Sequence, residues 1–319
     1  MGMYTPEMFM RNEAGRNSIE KIENAIITKE PLAGIVIKCD TELNTLVKLG
    51  ENIYGEIDSS EFEFHPDGKA LKPIEIISKV GKVVKVQVLG EVKQQNSENS
   101  EDGKQQTTSN HRVFNISRKN IQEDCYKQDI SKLEVGKVID AFVMSAETYG
   151  AFCDIGCGLT ALLPVENVCV PRIDNPRMEL PKLGKIKAVV KSIKNGKITL
   201  THKELLGTWQ QSVSNITVGE TVNGVVRVIT DFGVFVQIAP NLVGLADIDS
   251  SVCCGDYVTV FVRNIIPEKG KVKLSIINKI DSHGDLTKFK IDYIIPDSGY
   301  LRTWKYGDCA ASRIGELNI

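Results

Sequence analysis

One short segment of this chain occurs twice. Residues 149–156 read Tyr-Gly-Ala-Phe-Cys-Asp-Ile-Gly, and residues 232–239 read Phe-Gly-Val-Phe-Val-Gln-Ile-Ala, 83 positions later. The upstream Gly136-Lys-Val and Gly219-Glu-Thr recur at the same offset, so the repeat covers whole domains and not one motif. Repeats of this kind decide how the rest of a chain is divided. The fold must therefore contain a duplicated unit in which two aromatic residues flank a glycine.

Each copy contains five short β-rich runs. In the earlier copy the runs are 137–145, 149–155, 159–163, 185–193 and 197–201, and in the later copy 221–229, 232–238, 243–246, 257–265 and 271–275. Asn195-Gly196, between the last two runs of the earlier copy, is a strong hairpin signal. Valines alternate with other residues from 257 to 263, which gives a strand one buried and one exposed face. The sequence predicts an all-β chain of small closed OB-type barrels.

Composition excludes several classes of protein. The chain has 319 residues, 42% of them apolar, and a net charge of -2. No apolar run approaches the roughly 18 residues that span a bilayer, and the N-terminus lacks the layout of a signal peptide. We therefore predict a cytoplasmic protein with no membrane partner. The net charge is low for a protein that coats phosphate backbones, but residues 182–203 contain seven lysines and no acid.

Motifs for catalysis and metal binding are missing from the sequence. The eight cysteines form no Cys-x-x-Cys pair, and the four histidines do not cluster with them, so reduced thiols are expected and no metal site. There is no Gly-rich phosphate loop, paired-His motif or Gly-x-Ser-x-Gly elbow. We expect no enzyme activity, no catalytic residue and no cofactor.

The repeated aromatic residues indicate binding instead. Bases of single-stranded nucleic acid stack on aromatic side chains, each contributing about 1–3 kcal/mol. Residues three apart on a regular strand point to opposite faces, so we expect a bulge at Gly150 and Gly233 that brings both rings outward. Any single ring could equally belong to a barrel core. The predicted RNA-binding residues are the rings Tyr149, Phe152, Phe232 and Phe235 and the cations Lys197, Lys271, Arg227 and Arg263.

The order of motifs resembles a known family. Gly-x-Val, aromatic-Gly-x-Phe, Gly-Leu, Gly-Lys-x-x-Val and Gly-Lys-Ile-x-Leu-Thr follow one another as in the S1 motif, the RNA-binding OB fold of the ribosomal protein S1 family. Tandem motifs without an enzymatic domain are similar to the shorter Gram-positive members. The resemblance implies binding of single-stranded RNA (mRNA) and association with the small ribosomal subunit. Asp247 departs from the pattern, and we expect its charge to weaken phosphate binding in the later copy.

A third, divergent copy precedes the other two. Aligned at an offset of 106, Leu43 and Leu46 take the places of Tyr149 and Phe152. The resemblance implies that such a leading domain contacts protein and not RNA, with the small ribosomal subunit as the candidate partner. The predicted segments are 1–30 with an amphipathic helix, 31–122 with a disordered insertion at 93–110, 131–206, 217–280 and a tail at 281–319. The helix stripe of Ile19, Ile22, Ala25 and Ile26 could pack on the core or dock on a partner.

Two further functions remain open from the sequence. The chain could be an accessory RNA-binding subunit of an RNA-processing or transcription complex, or a protein-interaction adaptor whose barrels do not bind RNA. Salt-dependent RNA binding separates the adaptor from the other two functions. Co-sedimentation with ribosomes then separates a ribosome-associated protein from an accessory subunit.

Overall fold

The computed structural model describes residues 4–92, 111–181, 183–280, 289 and 291–307, and the backbone of 316–318. The predicted insertion at 93–110, Lys182 and part of the tail after 280 lie outside the described residues. Within the described part, no helix is long and apolar enough to cross a membrane.

Three closed five-stranded barrels form most of the described chain. The first barrel consists of β1 (Leu32–Cys39), β2 (Thr45–Gly50), β3 (Ile53–Ile57), β4 (Val83–Glu91) and β5 (Arg112–Ser117). The second consists of β6 (Val138–Glu147), β7 (Gly150–Gly156), β8 (Leu159–Pro164), β9 (Gly184–Lys194) and β10 (Lys197–Thr201). The third consists of β11 (Thr221–Thr230), β12 (Gly233–Ala239), β13 (Leu242–Ala246), β14 (Tyr257–Ile266) and β15 (Lys271–Lys279).

All three barrels have one strand order. The first three strands of each form a meander, the fifth strand lies between the third and the fourth, and the fourth closes on the first. The third and fifth strands pair in parallel in each barrel, as Leu245 with Lys273 shows in the last one. The all-β class and the three tandem OB-type barrels predicted from the sequence are therefore confirmed.

Helices are short and connect or cap the barrels. The α-helices are α1 (Ile19–Thr28), α2 (Pro73–Ile77), α3 (Lys119–Gln128) and α4 (Trp209–Val213). Short 3-10 helices occur at Glu7–Met10, Ser59–Glu61, Ile130–Lys132, Val165–Asn167, Pro176–Met178, Lys203–Leu206 and Pro267–Lys269. Two short strands, β16 (Thr303–Lys305) and β17 (Glu316–Asn318), pair in the tail.

Helix α1 covers the core of the first barrel. Ser18 caps its N-terminus by accepting a hydrogen bond from the backbone amide of Lys21 at 3.3 Å. Ile22 and Ala25 are buried in the same cluster as the inward-facing side chains of the barrel, with Ile19 and Ile26 packed at its margin. Of the two roles that the apolar stripe left open, packing on the core is the one observed.

The chain divides into two compact units. One comprises residues 1–133 together with Asp154–Thr160, and the other comprises Glu134–Cys153 and Ala161–Ile319. The second unit contains the whole third barrel and the described part of the tail. Within it, Trp209 from α4 and Trp304 and Tyr306 from the tail complete the apolar core of the third barrel.

Hydrogen bonds also join the second and third barrels inside this second unit. The Asn241 amide accepts a bond from the Val170 backbone at 3.0 Å and donates to the carbonyl oxygens of Lys203 and Gly207 at 2.7 and 2.9 Å. Nearby, His202 is buried between the Val168 carbonyl oxygen and the Tyr293 hydroxyl. Burial lowers the pKa of His202 to about 4, so its imidazole is neutral at pH 7.

Candidate nucleic-acid interface

The repeated aromatic residues form two ring pairs on the barrel surface. The ring centroids of Tyr149 and Phe152 are 6.1 Å apart with an interplanar angle of 81°, and those of Phe232 and Phe235 are 5.8 Å apart at 89°. Tyr149 is 57% exposed and Phe232 is 69% exposed, while the second ring of each pair is half-buried. Each pair therefore offers a free ring face supported edge-on by a neighbour. Neither exposed ring belongs to a barrel core.

The glycine between the rings acts through close packing and not through a bulge. Strands β7 and β12 begin at Gly150 and Gly233, so the preceding ring lies in the turn and is free of strand alternation. A methyl group added to Gly233 would lie 2.4 Å from the Ala246 carbonyl oxygen. At Gly150 it would lie 2.7 Å from the Leu163 carbonyl oxygen. In the third barrel Gly233 pairs in register with Thr230, and the register shift falls on β11 around Arg227, so the bulge expected at Gly233 is wrong.

In the third barrel, strand register extends this ring pair into a row. Phe235 lies opposite Leu245 on β13, and Leu245 lies opposite Lys273 on β15. Residues opposite each other on paired strands share a face, so the exposed Lys273 lies on the same face as the ring. Lys273 is absent from the set predicted from the sequence. Its separation of two from Lys271 was the available signal, because alternate strand residues face the same side.

The second barrel carries a less basic version of this row. Leu162, 83 positions before Leu245, lies opposite Thr199 on β10. Lys197 is exposed at the start of the same strand and pairs in register with Lys194 at the end of β9. Two lysines with no ion pair among the described residues therefore lie at the β9–β10 hairpin, and a threonine stands at the place of Lys273.

The lysine-rich stretch of the second barrel is largely engaged in local contacts. The Lys187 Nζ lies 2.6 Å from the Asp140 carboxylate, and the Lys191 Nζ donates to the Asn167 side-chain oxygen at 2.8 Å. Lys203 is buried and donates to the Glu166 carbonyl oxygen at 3.1 Å. The run is thus in part a structural feature of β9 and its surroundings. Its exposed end is the hairpin that carries Lys194 and Lys197.

Arg227 does not lie on the ring face. Arg227 is the extra residue of the β11 bulge and is only 8% exposed. Its guanidinium pairs with the buried side chain of Glu179. A second hydrogen bond runs from the Arg227 Nε to the Gln237 side-chain oxygen at 2.5 Å. Burial raises the pKa of Glu179 to about 7, while Arg227 acts in the opposite direction. Arg227 holds the loop before β9 against the third barrel, and its cation is not offered to a ligand.

Arg263 is exposed but has an acidic neighbour. Its Nη1 lies 2.9 Å from a carboxylate oxygen of Asp247, and both side chains are more than half exposed. A pair at the surface contributes little to stability, yet it cancels the local charge of both residues. Asp247 therefore disfavours phosphate mainly because it pairs with Arg263 and neutralises that cation. The repulsion from its own negative charge is the smaller effect. Lys271, at the start of β15, is exposed, and no such acid is paired with it in the described chain.

Buried polar groups fix the hairpins that carry the half-buried rings. Asp154, two residues after Phe152, accepts hydrogen bonds from the Gly156 and Gly158 amides at 2.8 and 3.0 Å. It also accepts one from the Glu7 amide at 2.7 Å, and burial raises its pKa to about 6. At the repeat-equivalent position, Gln237 donates to the Pro240 carbonyl oxygen at 2.9 Å. Both hairpins are thus held rigid from inside while the rings face outward.

The first barrel has no rings in the corresponding row. Leu46 on β2 lies opposite Glu56 on β3, and Glu56 lies opposite Asn115 on β5. Leu46 therefore stands where Phe235 stands, as the sequence alignment predicts, and an acid and an amide replace Leu245 and Lys273. Leu43 lies in the turn before β2 with a φ of 68°.

The strand order and the exposed ring pairs define a tandem OB-barrel protein with aromatic surface pairs on two of its barrels. The chain is 32% identical over 160 residues to small ribosomal subunit protein bS1 of Leuconostoc lactis, and this alignment covers 46% of this chain and 37% of that protein. It is 27% identical over 284 residues to bS1 of Chlamydia trachomatis, covering 84% and 46%. The bS1 homolog of Bacillus subtilis is 32% identical over 126 residues, covering 38% and 33%.

These similarities confirm the resemblance to the ribosomal protein S1 family. The chain spans less than half the length of these curated relatives. No family model matches it. Among solved structures, a multidomain protein with nucleic acid binding domains from Streptococcus pneumoniae is 14% identical, with a TM-score of 0.27 and coverage of 78% of this chain and 73% of that one.

Proposed function

We propose that the second and third barrels bind single-stranded RNA, including mRNA, and that the protein associates with the small ribosomal subunit in cytoplasmic translation. The observation that carries the proposal is the pair of exposed ring platforms, which we name platform 2 (Tyr149 and Phe152) and platform 3 (Phe232 and Phe235). A 69% exposed phenylalanine has no stabilising role in a core, whereas a stacked base would cover it. The similarity to bS1 proteins supports the ribosomal part of the proposal.

The proposed RNA-binding set differs from the sequence prediction in two positions. The four rings take the bases, and Lys197 and Lys271 take phosphates from the starts of β10 and β15. Lys273 joins them because its register places it in the row of Phe235. Arg227 is removed because its guanidinium is buried with Glu179, and Arg263 contributes only when Asp247 releases it. The binding region is proposed to comprise domains 131–206 and 217–280, with no catalytic residue.

Fluorescence anisotropy with a labelled single-stranded RNA tests this function on the full chain. We expect the double variant Phe152→Ala with Phe235→Ala to weaken binding by several kcal/mol at most, because each ring stacks about one base for 1–3 kcal/mol. Leu46→Ala is the matched control, since it removes the equivalent residue of the first barrel. The control should bind RNA as the unmodified chain does.

Two outcomes would reject parts of the proposal. Absence of RNA binding by the unmodified chain at low salt would reject both RNA-binding functions and leave the protein adaptor. Binding that survives the double ring variant would place the RNA elsewhere. If RNA binds through the rings, co-sedimentation with small ribosomal subunits decides between a translation protein and an accessory subunit of another RNA complex.

The first barrel is proposed to contact protein in place of RNA. Its row contains Leu46 and Glu56, which provide neither a stacking ring nor a cation. Attachment to the small ribosomal subunit through this barrel predicts that Glu56→Lys weakens co-sedimentation while RNA binding by the isolated chain stays unchanged. Reduced RNA binding by that variant would contradict the division of roles between the barrels.

A further inference from the structure

A groove of about 850 Å³ lies on the first barrel, along its β2, β3 and β5 strands. Its lining includes Leu46, Glu56 and Asn115, which form the row equivalent to Phe235, Leu245 and Lys273 of the third barrel. The groove is therefore at the position where the third barrel carries its ring platform. The barrel scaffold keeps a concave surface here although the residues for stacking are absent.

The charge of this groove is opposite to that needed for phosphate. Three carboxylates line it, those of Asp40, Glu56 and Asp58, against one lysine, Lys38. Two of them are used locally: Asp40 accepts the Glu42 and Asn44 amides, and Asp58 accepts the Ser60 amide. Glu56 is exposed in the middle of the sheet, and no lysine or arginine of the described chain pairs with it. A negative carboxylate is thus available to a cationic ligand.

Apolar surface accompanies the acids. Ile37, the residue at the β1 bulge, is 45% exposed, and it lines the groove with Leu46 and the ring of Tyr54. The aliphatic stems of lysine and arginine pack on such surface while their charged ends reach a carboxylate. A guanidinium also stacks on aromatic rings. The mixture of apolar and acidic groups fits long basic side chains better than it fits a small anion or a purely apolar helix.

We propose that this groove binds a basic peptide segment of a partner protein, with an arginine or lysine side chain facing Glu56 and its stem on Leu46 and Tyr54. The inference rests on the proposed function only in assigning protein contact to the first barrel. It adds the surface, the chemistry of the partner and the residue that selects it. RNA is disfavoured at the same place because Glu56 would repel its phosphates.

Fluorescence anisotropy with the full chain and a fluorescein-labelled peptide of three Arg-Ser-Val repeats tests the inference. We expect salt-sensitive binding that Glu56→Gln weakens about threefold and Glu56→Lys about tenfold, as for loss and reversal of a partly exposed charge pair. Glu51→Gln is the matched control, because Glu51 is exposed in the turn of the same β2–β3 hairpin but does not line the groove. It should leave the affinity unchanged, and a Glu-Ser-Val peptide should not bind.

Each other result overturns the inference. Failure of the basic peptide to bind at low salt removes the site, and equal binding by the chain and Glu56→Lys places the peptide elsewhere. Binding of single-stranded RNA that Glu56→Lys weakens would assign the groove to RNA instead. Melting curves confirm that the variants fold. RNA binding that survives the ring variants, with intact peptide binding, would count against the proposed RNA function and leave the groove in place.

Discussion

The first and third barrels have the same strand order, and their second, third and fifth strands place one residue each in a single row. In the third barrel the row reads Phe235, Leu245 and Lys273, and in the first it reads Leu46, Glu56 and Asn115. One row presents a ring and a cation, and the other presents an aliphatic side chain and an anion. The strand order of the two barrels is thus the same, and the rows differ only in their side chains. Three side chains on one face set the charge and the aromatic character that each of these two barrels presents there.

The largest effect on the difference between the two barrels is expected from disturbing the close approach of β12 and β13 beneath platform 3. Gly233→Ala places a methyl group 2.4 Å from the Ala246 carbonyl oxygen at a φ of 151°, so we expect a loss of about 3 kcal/mol in unfolding free energy. Tryptophan fluorescence during urea unfolding reports on this barrel, because both tryptophans of the chain lie in its core.

The control for this change is Gly219→Ala in the same barrel. Gly219 has a φ of 92° but no atom within 4 Å of an added methyl group, so only dihedral strain of about 1 kcal/mol is expected. Equal losses for the two variants would mean that the contact with β13 is not what selects glycine there. The first barrel has Asn44 at the equivalent position, which agrees with its lack of a ring in the preceding turn.

A smaller effect is expected from the cation of the row. Lys273→Ala should weaken RNA binding a few-fold and reduce the slope of log affinity against log salt by about 0.7, as for one phosphate contact on a single strand. Asn115→Ala, the matching change on the first barrel, should alter neither. A variant Lys273→Ala with an unchanged salt slope would remove this residue from the interface.

The smallest effect concerns Asp247. Asp247→Asn frees Arg263 from its partner at 2.9 Å and removes a negative charge, so RNA should bind about twofold to threefold more tightly. The same assay on Glu42→Gln, an exposed acid of the first barrel, provides the control. Weaker binding by Asp247→Asn would show that the carboxylate contacts the RNA favourably, for instance as an acceptor for a base or a ribose hydroxyl.

Local patterns in the sequence were sufficient for the strands, the barrel class and the exposed rings. Tyr149 and Phe232 recur in one frame beside a glycine, and that recurrence does not depend on tertiary structure. Local sequence patterns could not predict contacts between residues that are distant in the chain. The sequence predicts Arg227 on the RNA face because its neighbours in the chain do not indicate its partner Glu179, which lies 48 positions earlier.

Register explains the other differences. Lys273 enters the interface only when three strands are aligned, which no single strand reveals. The sequence counts seven lysines at 182–203, but Lys187 and Lys191 are already engaged with Asp140 and Asn167. Charge counted along a sequence overestimates the charge that a surface can offer, because pairing is decided across strands.

The C-terminal tail supplies part of the apolar core of the third barrel. Trp304 and Tyr306 lie in its apolar core, 25 or more positions after its last strand ends at Lys279, and Tyr306 donates its hydroxyl hydrogen to the Asn241 carbonyl oxygen. The backbone amide of Trp209 in turn bonds to the Tyr306 carbonyl oxygen at 2.8 Å. During synthesis, β15 therefore emerges well before the side chains that finish the core around it. A fragment cut after Lys279 would contain every strand of the third barrel and still have an open interior.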